Sequence, residues 1–435
     1  MPWIEERRPF IGFDRLDELM KQTAVEARQR ICAHPRRVLL LPPDITRAHS
    51  GVGRLTEMLY ELFQAEADVH VIPTLGQHVP HGPAENRRMF GSIPGERIHA
   101  HDWRNGCDLI GEISASEVRA AANGAADWPL PIVLNRSLLR EPWDLVINIG
   151  HVVPHEVLGF ANHNKNYFIG LGGKDLICAS HMMAASCGIE NNLGQLITPV
   201  RACFNRAEER FLTHLPDLYV QVVLARGADG KLAHTGVYVG DDLETYVAAA
   251  RQSREQNITL FDRPAAKIVC VMQADEFVST WVANKAIYRT RMAIADGGEL
   301  LILAPGLERF GEQPEVDALI RKYGYCGTPA VLEHYRSDPA LRDLAHAAAH
   351  LIHGSSEGRF RITYAPGHLS RDEIESVGFE YADLQQALDR YQPERRREGW
   401  NRTADGEEFF FIASPATGLW ATQSRIQDRK HPRAD

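Results

Sequence analysis

The sequence has few of the features that mark secreted, membrane or nucleic-acid-binding proteins. Its seven cysteines are scattered and include no Cys-x-x-Cys pair, which argues against a disulfide framework. No uncharged apolar run reaches the length of about 18 residues that a membrane span needs. A net charge of -9 opposes a general attraction to nucleic acid. No apolar stretch of the signal-peptide type follows the first residues. We therefore expect a cytoplasmic protein that binds neither membranes nor nucleic acid.

Familiar nucleotide and metal motifs are also missing. No Gly-x-Gly-x-x-Gly follows a strand pattern, which argues against an ordinary nicotinamide-binding domain. Asp175 follows Gly172-Gly173-Lys174, so this glycine pair is not part of a P-loop. The chain has no His-Glu-x-x-His and no Cys/His quartet of the structural zinc type. A catalytic zinc site built from His78, His155 and His181, in a hydrolase or lyase, is the alternative that these absences leave open.

The bulk composition is that of a globular protein large enough for two domains. The 435 residues are 44% hydrophobic and 24% charged. Short β-rich runs alternate with helical patterns, which predicts two α/β domains with parallel or mixed sheets and a ligand cleft between them. We place the first domain at residues 1–262 and the second at 263–390. Residues 391–435 form a C-terminal segment that is a candidate to return to the first domain.

The clearest local prediction is a β-α-β unit. Arg37–Leu41 and Asp68–Ile72 have the pattern of buried strands, and Gly53–Glu66 between them has helical spacing. Further strands are expected at Ile132–Leu134, Leu145–Ile149, Lys267–Met272, Glu299–Leu303 and Glu408–Ala413, helices at Asp241–Glu255 and Phe277–Ala295, and a hairpin over Leu218–Val239 that turns at Gly227–Gly230.

Polar and glycine-containing segments follow three of the predicted strands: Pro42–Gly51, Thr74–His81 and Gly150–His155. Ligands collect at the carboxyl ends of parallel strands, so these loops are expected to meet at one site. Asp44 is a candidate to hold a cofactor hydroxyl, and Arg47 is a candidate to bind a carboxylate. The alternative is a structural Asp-Arg pair at a helix N-terminus.

Histidine is plentiful, with nineteen residues in the chain. Four of them, His78, His155, His163 and His181, lie in loops or at helix starts close to glycines. Histidine is the usual general base near neutral pH and the commonest metal ligand. Each one alone is more often a surface or hydrogen-bonded core residue, but their proximity in the chain favours a functional cluster.

Together these residues resemble the nickel-dependent lactate racemase family. Asp44-Ile45-Thr46-Arg47 matches the family's Asp-x-Thr-Arg loop, Gly76-Gln77-His78 matches its Gly-x-His segment, and His101-Asp102 matches its His-Asp pair. The family's most specific pattern is a Pro-His motif followed by a lysine and then a histidine. Here Pro154-His155 is followed by Lys165 after ten residues and by His181 after sixteen more. In the second domain, Lys285 precedes Gly297-Gly298 as the family's lysine precedes a Gly-Gly turn.

The resemblance implies a nickel-pincer nucleotide, supplied by cofactor-biosynthesis proteins and bound in the cleft between the domains. Asp44, Thr46, Lys165 and His181 are then the cofactor-binding residues. The residue matching Lys165 carries the cofactor as a thioamide, and the one matching His181 completes the nickel coordination. One imidazole with soft donors suits Ni(II).

The implied reaction is racemisation or C2-epimerisation of a small 2-hydroxy acid by reversible hydride transfer. His78 and His155 would exchange the hydroxyl proton on opposite sides of the substrate. Arg47 and Lys285 would hold its carboxylate and orient its carbonyl. A non-catalytic protein that binds the nickel nucleotide is the further alternative.

Two departures from the family bear on the substrate. Ala161–Asn164 stands where the family has Ser-Gly-Gly-x before the lysine, which makes non-covalent binding at Lys165 an alternative and makes His163 a candidate substrate contact. Val282 replaces a glutamine three residues before Lys285, with Trp281 beside it as a further substrate contact. We therefore expect a longer acid than lactate, such as a polyhydroxylated sugar acid.

Overall fold

The computed structural model describes residues 1–227, 231–415 and 418–426. The chain divides into two compact units, each with its own sheet. The first unit comprises Met1–Ser180 and Gln195–Asn257, and the second comprises His181–Gly194 and the chain from Ile258 onward. The division thus falls at Asn257 instead of residue 262, and it assigns His181 to the second unit.

The first unit contains a mixed six-stranded sheet in the order β1-β10-β9-β6-β2-β3. Strands β9, β6, β2 and β3 run parallel, β10 pairs antiparallel with β9, and the edge strand β1 pairs antiparallel with β10. Two further pairs, β4–β5 and β7–β8, lie outside this sheet. The strands are β1 (Ile4–Arg7), β2 (Arg37–Leu41), β3 (Asp68–Val71), β4 (Cys107–Ile113), β5 (Leu130–Asn135), β6 (Leu145–His151), β7 (Pro154–His155), β8 (Gly159–Phe160), β9 (Asp217–Arg226) and β10 (Leu232–Gly240).

The helices of this unit pack apolar faces onto the sheet. The expected β-α-β unit is present, because α2 joins the parallel strands β2 and β3. Leu55, Leu59 and Phe63 recur at helical spacing on α2 and are buried in the core, where each stabilises the fold by about 1.5–3 kcal/mol. The helices are α1 (Phe13–Arg30), α2 (Val52–Phe63), α3 (Pro83–Phe90), α4 (Ala115–Ala121), α5 (Arg136–Arg140), α6 (Lys174–Cys187), α7 (Pro199–Phe211) and α8 (Leu243–Asn257), and the residues of α6 from His181 onward are assigned to the second unit.

The second unit contains a sheet in the order β15-β14-β13-β12-β17-β16, parallel except for the edge strand β16. A separate parallel pair joins β11 to β18. The strands are β11 (Ile258–Phe261), β12 (Ala265–Val271), β13 (Ile294–Ala304), β14 (Arg361–Pro366), β15 (Glu380–Tyr381), β16 (Gly399–Arg402), β17 (Glu408–Ile412) and β18 (Leu419–Thr422).

The C-terminal segment differs from the expectation of a return to the first unit. In its described part, β16 and β17 pair within the second sheet and β18 pairs with β11. The physical reason is the apolar run of β17, whose Phe409 and Phe411 are buried in the core of that unit. A strand this apolar is stable only when both of its faces are covered.

The long helix expected over Phe277–Ala295 is wrong. Two short helices occupy the region and are separated at Asn284, whose side-chain oxygen accepts a hydrogen bond from the Tyr364 hydroxyl at 2.7 Å.

The expected hairpin of the first unit is formed by β9 and β10, while residues 228–230 of its turn lie outside the described residues. The helices of the second unit are α9 (Thr280–Ala283), α10 (Lys285–Thr290), α11 (Pro314–Tyr323), α12 (Thr328–Ser337), α13 (Pro339–Asp343), α14 (Ala345–His353), α15 (Arg371–Ser376) and α16 (Leu384–Tyr391). Within the described ranges, no helix combines the length and apolar character needed to cross a membrane.

Candidate active site

Three loops at one edge of the first sheet carry half of the predicted site residues, namely Asp44, Thr46, Arg47, His78 and His155. They follow β2, β3 and β6, which run parallel and therefore end at the same edge. Thr74 joins the first two loops, since its N–H and hydroxyl donate to the Pro42 carbonyl at 2.8 and 3.1 Å. The Gly76 N–H donates to the Gly170 carbonyl at 2.8 Å and so joins the second loop to the segment that follows Lys165.

Asp44 is the buried anion of this edge. It caps a 3₁₀ helix, Ile45–Ser50, and is 4% exposed. Its Oδ1 accepts hydrogen bonds from the Thr46 N–H at 3.2 Å and from the Thr46 hydroxyl at 2.6 Å. The N-cap role explains why aspartate and threonine stand at these positions. In this structure the hydroxyl and the N–H of Thr46, which was predicted to bind the cofactor, both donate to the carboxylate of Asp44.

His78 forms a dyad with Asp44. Its Nδ1 is hydrogen-bonded to Asp44 Oδ2, and because a carboxylate only accepts, Nδ1 carries the proton and Nε2 keeps its lone pair. Gly76 makes the necessary turn with a φ of 58°, a conformation that glycine adopts without strain. The His78 N–H closes this turn on the Leu75 carbonyl at 3.0 Å. A histidine oriented by a buried carboxylate is the usual arrangement of a general base.

The charge state of Asp44 follows from its neighbours. Burial raises the pKa of Asp44, but His78, Thr46 and the Lys165 ammonium together outweigh burial and hold that pKa well below its usual range. Asp44 is therefore ionised at neutral pH, and its charge stabilises a proton gained by His78.

A second histidine, His81, supports the same loop and was missed by the sequence analysis. The Ile45 N–H donates to His81 Nε2 at 2.8 Å, so Nδ1 carries the proton and donates to Asn86 Oδ1 at 3.1 Å. His81 thus fixes the backbone beside Asp44. Its position three residues after His78 was the available signal.

His155 has the opposite protonation pattern from His78. It is 8% exposed, and its Nδ1 accepts hydrogen bonds from the N–H groups of Val157 at 3.2 Å and Leu158 at 3.4 Å. The neutral ring therefore carries its proton on Nε2. The two predicted catalytic histidines are chemically different, because Nε2 is an acceptor in His78 and a donor in His155.

Lys165 lies half-buried at the start of a π-helical turn, Asn166–Gly170. Burial and the positive charge of Arg47 lower the pKa of Lys165, while Asp44 and Glu156 raise it, and the result is a pKa of about 8. A lysine in this range has a sizeable neutral, nucleophilic fraction near neutral pH. The structure thus brings Asp44, Arg47, His78 and Lys165 together.

The substrate contact expected for His163 is not supported by its position. The residue is 2% exposed, and its ring stacks on Tyr219 with centroids 4.0 Å apart. Burial and the charge of Arg201 lower the pKa of His163 to about 3. His163 is therefore a neutral core residue, because its ring is buried against Tyr219.

The remaining predicted residues belong to the second unit. His181 lies on α6 and is half-buried. Trp281 stacks on His350 with ring centroids 4.3 Å apart. The Lys285 ammonium lies 5.7 Å from the centroid of the Phe277 ring. This unit therefore presents a cation and an aromatic surface from two adjacent short helices.

A buried polar cluster around His350 was missed by the sequence analysis. His350 Nδ1 is hydrogen-bonded to the Tyr288 hydroxyl at 2.7 Å, and Nε2 is hydrogen-bonded to the Tyr325 hydroxyl at 2.8 Å. His346 and His353 share its face of α14 and are also buried. The i, i+4, i+7 spacing of these histidines was the readable signal. The cluster supports the ring of Trp281.

The alternative zinc site is not assembled. Among residues 1–227, 231–415 and 418–426, no three or more histidine, cysteine, aspartate or glutamate side chains form a group able to hold a metal ion. His101, of the predicted His-Asp pair, is structural: Nε2 bonds to the Gly172 carbonyl at 3.0 Å and Nδ1 bonds to Asn135 Nδ2 at 3.0 Å.

The comparison with known proteins agrees with this geometry. Residues 15–192 match the family model of the lactate racemase N-terminal domain. This part of the chain is similar to the N-terminal domain of lactate racemases. The matched residues include the three loops together with Asp44, Arg47, His78 and Lys165. No curated protein sequence gives a significant match.

Two solved structures share the fold of almost the whole chain. A crystal structure of a Thermotoga maritima protein has a TM-score of 0.80 and 22% sequence identity, and the match covers 96% of this chain and 100% of that one. The lactate racemase apoprotein of Thermoanaerobacterium thermosaccharolyticum has a TM-score of 0.67 and 15% identity, over 96% of this chain and 94% of that one. At these identities the likeness concerns the fold.

Proposed function

We propose that this protein interconverts the two configurations at C2 of a 2-hydroxy acid, with a nickel-pincer nucleotide bound at Lys165 and His181. The similarity of residues 15–192 to the lactate racemase N-terminal domain supports a hydroxy-acid racemase in general terms. The observation that carries the finer proposal is the His78–Asp44 dyad beside Lys165 and Arg47. It combines a base, a cation and a nucleophilic amine at one edge of a sheet.

The residues present fit the cofactor. Lys165 offers an amine whose pKa of about 8 leaves it partly neutral, as formation of a thioamide requires. His181 offers a single imidazole, which suffices for nickel already held by soft donors of the cofactor. When bound, the nucleotide supplies a centre that accepts and returns a hydride. We expect dedicated biosynthetic proteins to supply it.

The chain's own residues account for the remaining steps. Nε2 of His78 takes the hydroxyl proton as the keto acid forms and returns it as the hydroxy acid is restored, and the charge of Asp44 stabilises the imidazolium in between. Arg47 binds the substrate carboxylate through its guanidinium. His155 presents Nε2–H as a donor to the substrate oxygen, a role that a neutral imidazole can fill.

The second unit supports a substrate larger than lactate. We assign Lys285 to the carboxylate or carbonyl and Trp281 to the apolar face of the carbon chain. Val282 stands where the resembled family has a glutamine, so no side-chain amide is available at this position to bind the substrate. The hydroxyl groups of a polyhydroxylated acid offer further hydrogen bonds to the protein. C2-epimerisation of a sugar acid is therefore the preferred reaction.

The test uses full-length protein purified from a host that makes the cofactor. Pairs of C2 stereoisomers, from lactate to sugar acids, are incubated in D₂O and separated by chiral chromatography. Hydride transfer predicts interconversion without deuterium at C2, because the hydrogen never exchanges with solvent. Abstraction of the C2 proton predicts deuterium incorporation and contradicts the proposal.

Metal analysis separates the alternatives. Nickel in the wild type and its loss in His181→Ala, with loss of activity, supports the proposal. Zinc with hydrolase activity points to the zinc enzyme. Bound nickel nucleotide without isomer exchange on any tested acid points to a carrier protein.

A further inference from the structure

The segment that leads into Lys165 has an unusual backbone. Asn162 and His163 have φ values of 69° and 57°, in the left-handed region that favours glycine. These are the two positions where the resembled family has consecutive glycines. Asn162 and His163 adopt this turn although neither residue favours a positive φ. Contacts with the rest of the protein must therefore hold the turn in place.

Helix α7 supplies those contacts. Arg201, Asn205 and Glu208 are spaced i, i+4 and i+7, so they share one face of the helix. Arg201 is completely buried and donates to the Phe160 carbonyl at 2.7 Å and to the Asn162 carbonyl at 3.3 Å. It thereby fixes the backbone on both sides of the turn.

The same face holds the side chain of Asn164, the residue before Lys165. Asn164 Oδ1 accepts a hydrogen bond from Arg201, and Nδ2 donates to Asn205 Oδ1 at 2.7 Å and to Glu208 Oε2 at 2.8 Å. Asn164 has no exposed surface. An amide with all its bonds made in the interior is rigid, because each lost bond leaves a buried polar group unsatisfied.

We propose that Arg201, Asn205 and Glu208 are positioning residues that hold Asn164 and thereby fix the Lys165 amine where the cofactor is attached. Where glycines form this turn, their backbone adopts the left-handed conformation without strain. In this chain, the hydrogen bonds from helix α7 hold Asn162 and His163 in that conformation. The inference rests on the proposed function in giving Lys165 a cofactor to hold. Its test uses cofactor-free protein, so the two can fail separately.

The experiment measures the reactivity of the Lys165 amine. Full-length apoprotein is labelled with limiting acetic anhydride between pH 6 and 10, and acetylation at Lys165 is quantified by peptide mass spectrometry. The wild type is expected to titrate near pH 8. Asn164→Ala releases the segment, so the pKa of Lys165 rises toward its ordinary 10.5. A rise of about one unit lowers labelling at pH 7 by about tenfold.

Two further variants separate positioning from general destabilisation. Arg206→Gln alters an exposed position of α7, 40% exposed, and keeps the wild-type profile. Asn164→Asp combined with Glu208→Gln reverses the donor and acceptor while it keeps the hydrogen bond and the net charge, and it restores the pKa near 8. Circular dichroism verifies that each variant is folded.

The outcomes decide the proposal. A folded Asn164→Ala protein with the wild-type labelling profile overturns it. If Asn164→Ala does not fold, Glu208→Gln alone takes its place and is judged by the same profile. Isomerase activity with an unchanged Lys165 titration in all variants refutes the positioning role and leaves the proposed function intact.

Discussion

Replacing Asp44 with asparagine tests the His78–Asp44 dyad most directly. Oδ1 of Asp44 accepts two hydrogen bonds from Thr46, and Oδ2 accepts from His78. In Asp44→Asn the amide oxygen stays with Thr46, because both Thr46 groups are donors. The amide NH₂ then faces Nδ1 of His78 and makes it an acceptor. The proton moves to Nε2, and His78 loses the lone pair that takes the substrate proton.

Two effects set the size of the loss. The missing charge-assisted hydrogen bond is worth about 1.5–3 kcal/mol, or about 10- to 150-fold in rate. The wrong tautomer adds to this, so we expect kcat to fall by about 10²- to 10⁴-fold. KM changes little, because we assign the carboxylate of the substrate to Arg47. Both constants are measured for cofactor-loaded protein by chiral chromatography.

A matched control is available in the same unit. Asp68 pairs with His70 Nε2 at 2.9 Å on β3, in an exposed Asp-His pair outside the site. Asp68→Asn is expected to keep kcat within about twofold, as surface pairs contribute little. If Asp44→Asn keeps a kcat within about threefold of wild type at equal nickel content, the assignment of His78 as a base oriented by Asp44 is refuted.

Three further predictions address the rest of the site. His155→Gln keeps more activity than His155→Ala, by about tenfold, because the glutamine amide still donates a hydrogen bond; equal inactivity of both variants at matched nickel content indicates that His155 acts as a base. Burial and Glu208 raise the pKa of Asp217 to about 7, so the folded protein binds the extra proton and this carboxyl destabilises the fold as pH rises from about 4 to 7. Asp217→Asn therefore raises Tm at pH 8 by about 2–4 °C and less at pH 5, by calorimetry; an equal shift at both pH values contradicts the burial argument. Lys165→Arg lacks a nucleophilic amine and abolishes the mass increment of a covalent cofactor, whereas an increment that persists in intact-mass spectra places the attachment elsewhere.

The sequence predicted the first sheet and its functional edge because both depend on local patterns. The strand Arg37–Leu41 is bounded by charge and proline and matches the structure in full. Loops after parallel strands must meet at one edge, which is why Asp44, His78 and His155 could be predicted to share a site, whereas Lys165 was expected there only from the family resemblance. Their chemical roles could not be predicted, since the tautomers of His78 and His155 depend on hydrogen bonds made in the folded chain.

Other features depend on distant contacts that local patterns do not encode. Phe277–Ala295 has helical spacing, yet the helix is interrupted at Asn284, which accepts a hydrogen bond from the Tyr364 hydroxyl. This partner lies far along the chain, so the local pattern does not predict the interruption. His163 has the sequence context of a loop residue, but its ring is stacked in the core on Tyr219. The support that Arg201 gives to the Lys165 segment spans more than thirty residues and was equally invisible.

The close approach of Gly150 to Asn162 has a consequence for how this fold can diverge. A β carbon at Gly150 would lie 2.2 Å from Asn162 Oδ1. A side chain at position 150 therefore fits only if the buried Asn162 amide leaves its hydrogen bonds to Gly150 and Asn166, or if position 162 has a smaller side chain. We expect the two positions to covary among homologues: glycine at 162 permits alanine or serine at 150, and asparagine at 162 requires glycine there. We therefore expect the change at position 162 to precede the change at position 150 in a lineage that carries both, which ancestral reconstruction can check.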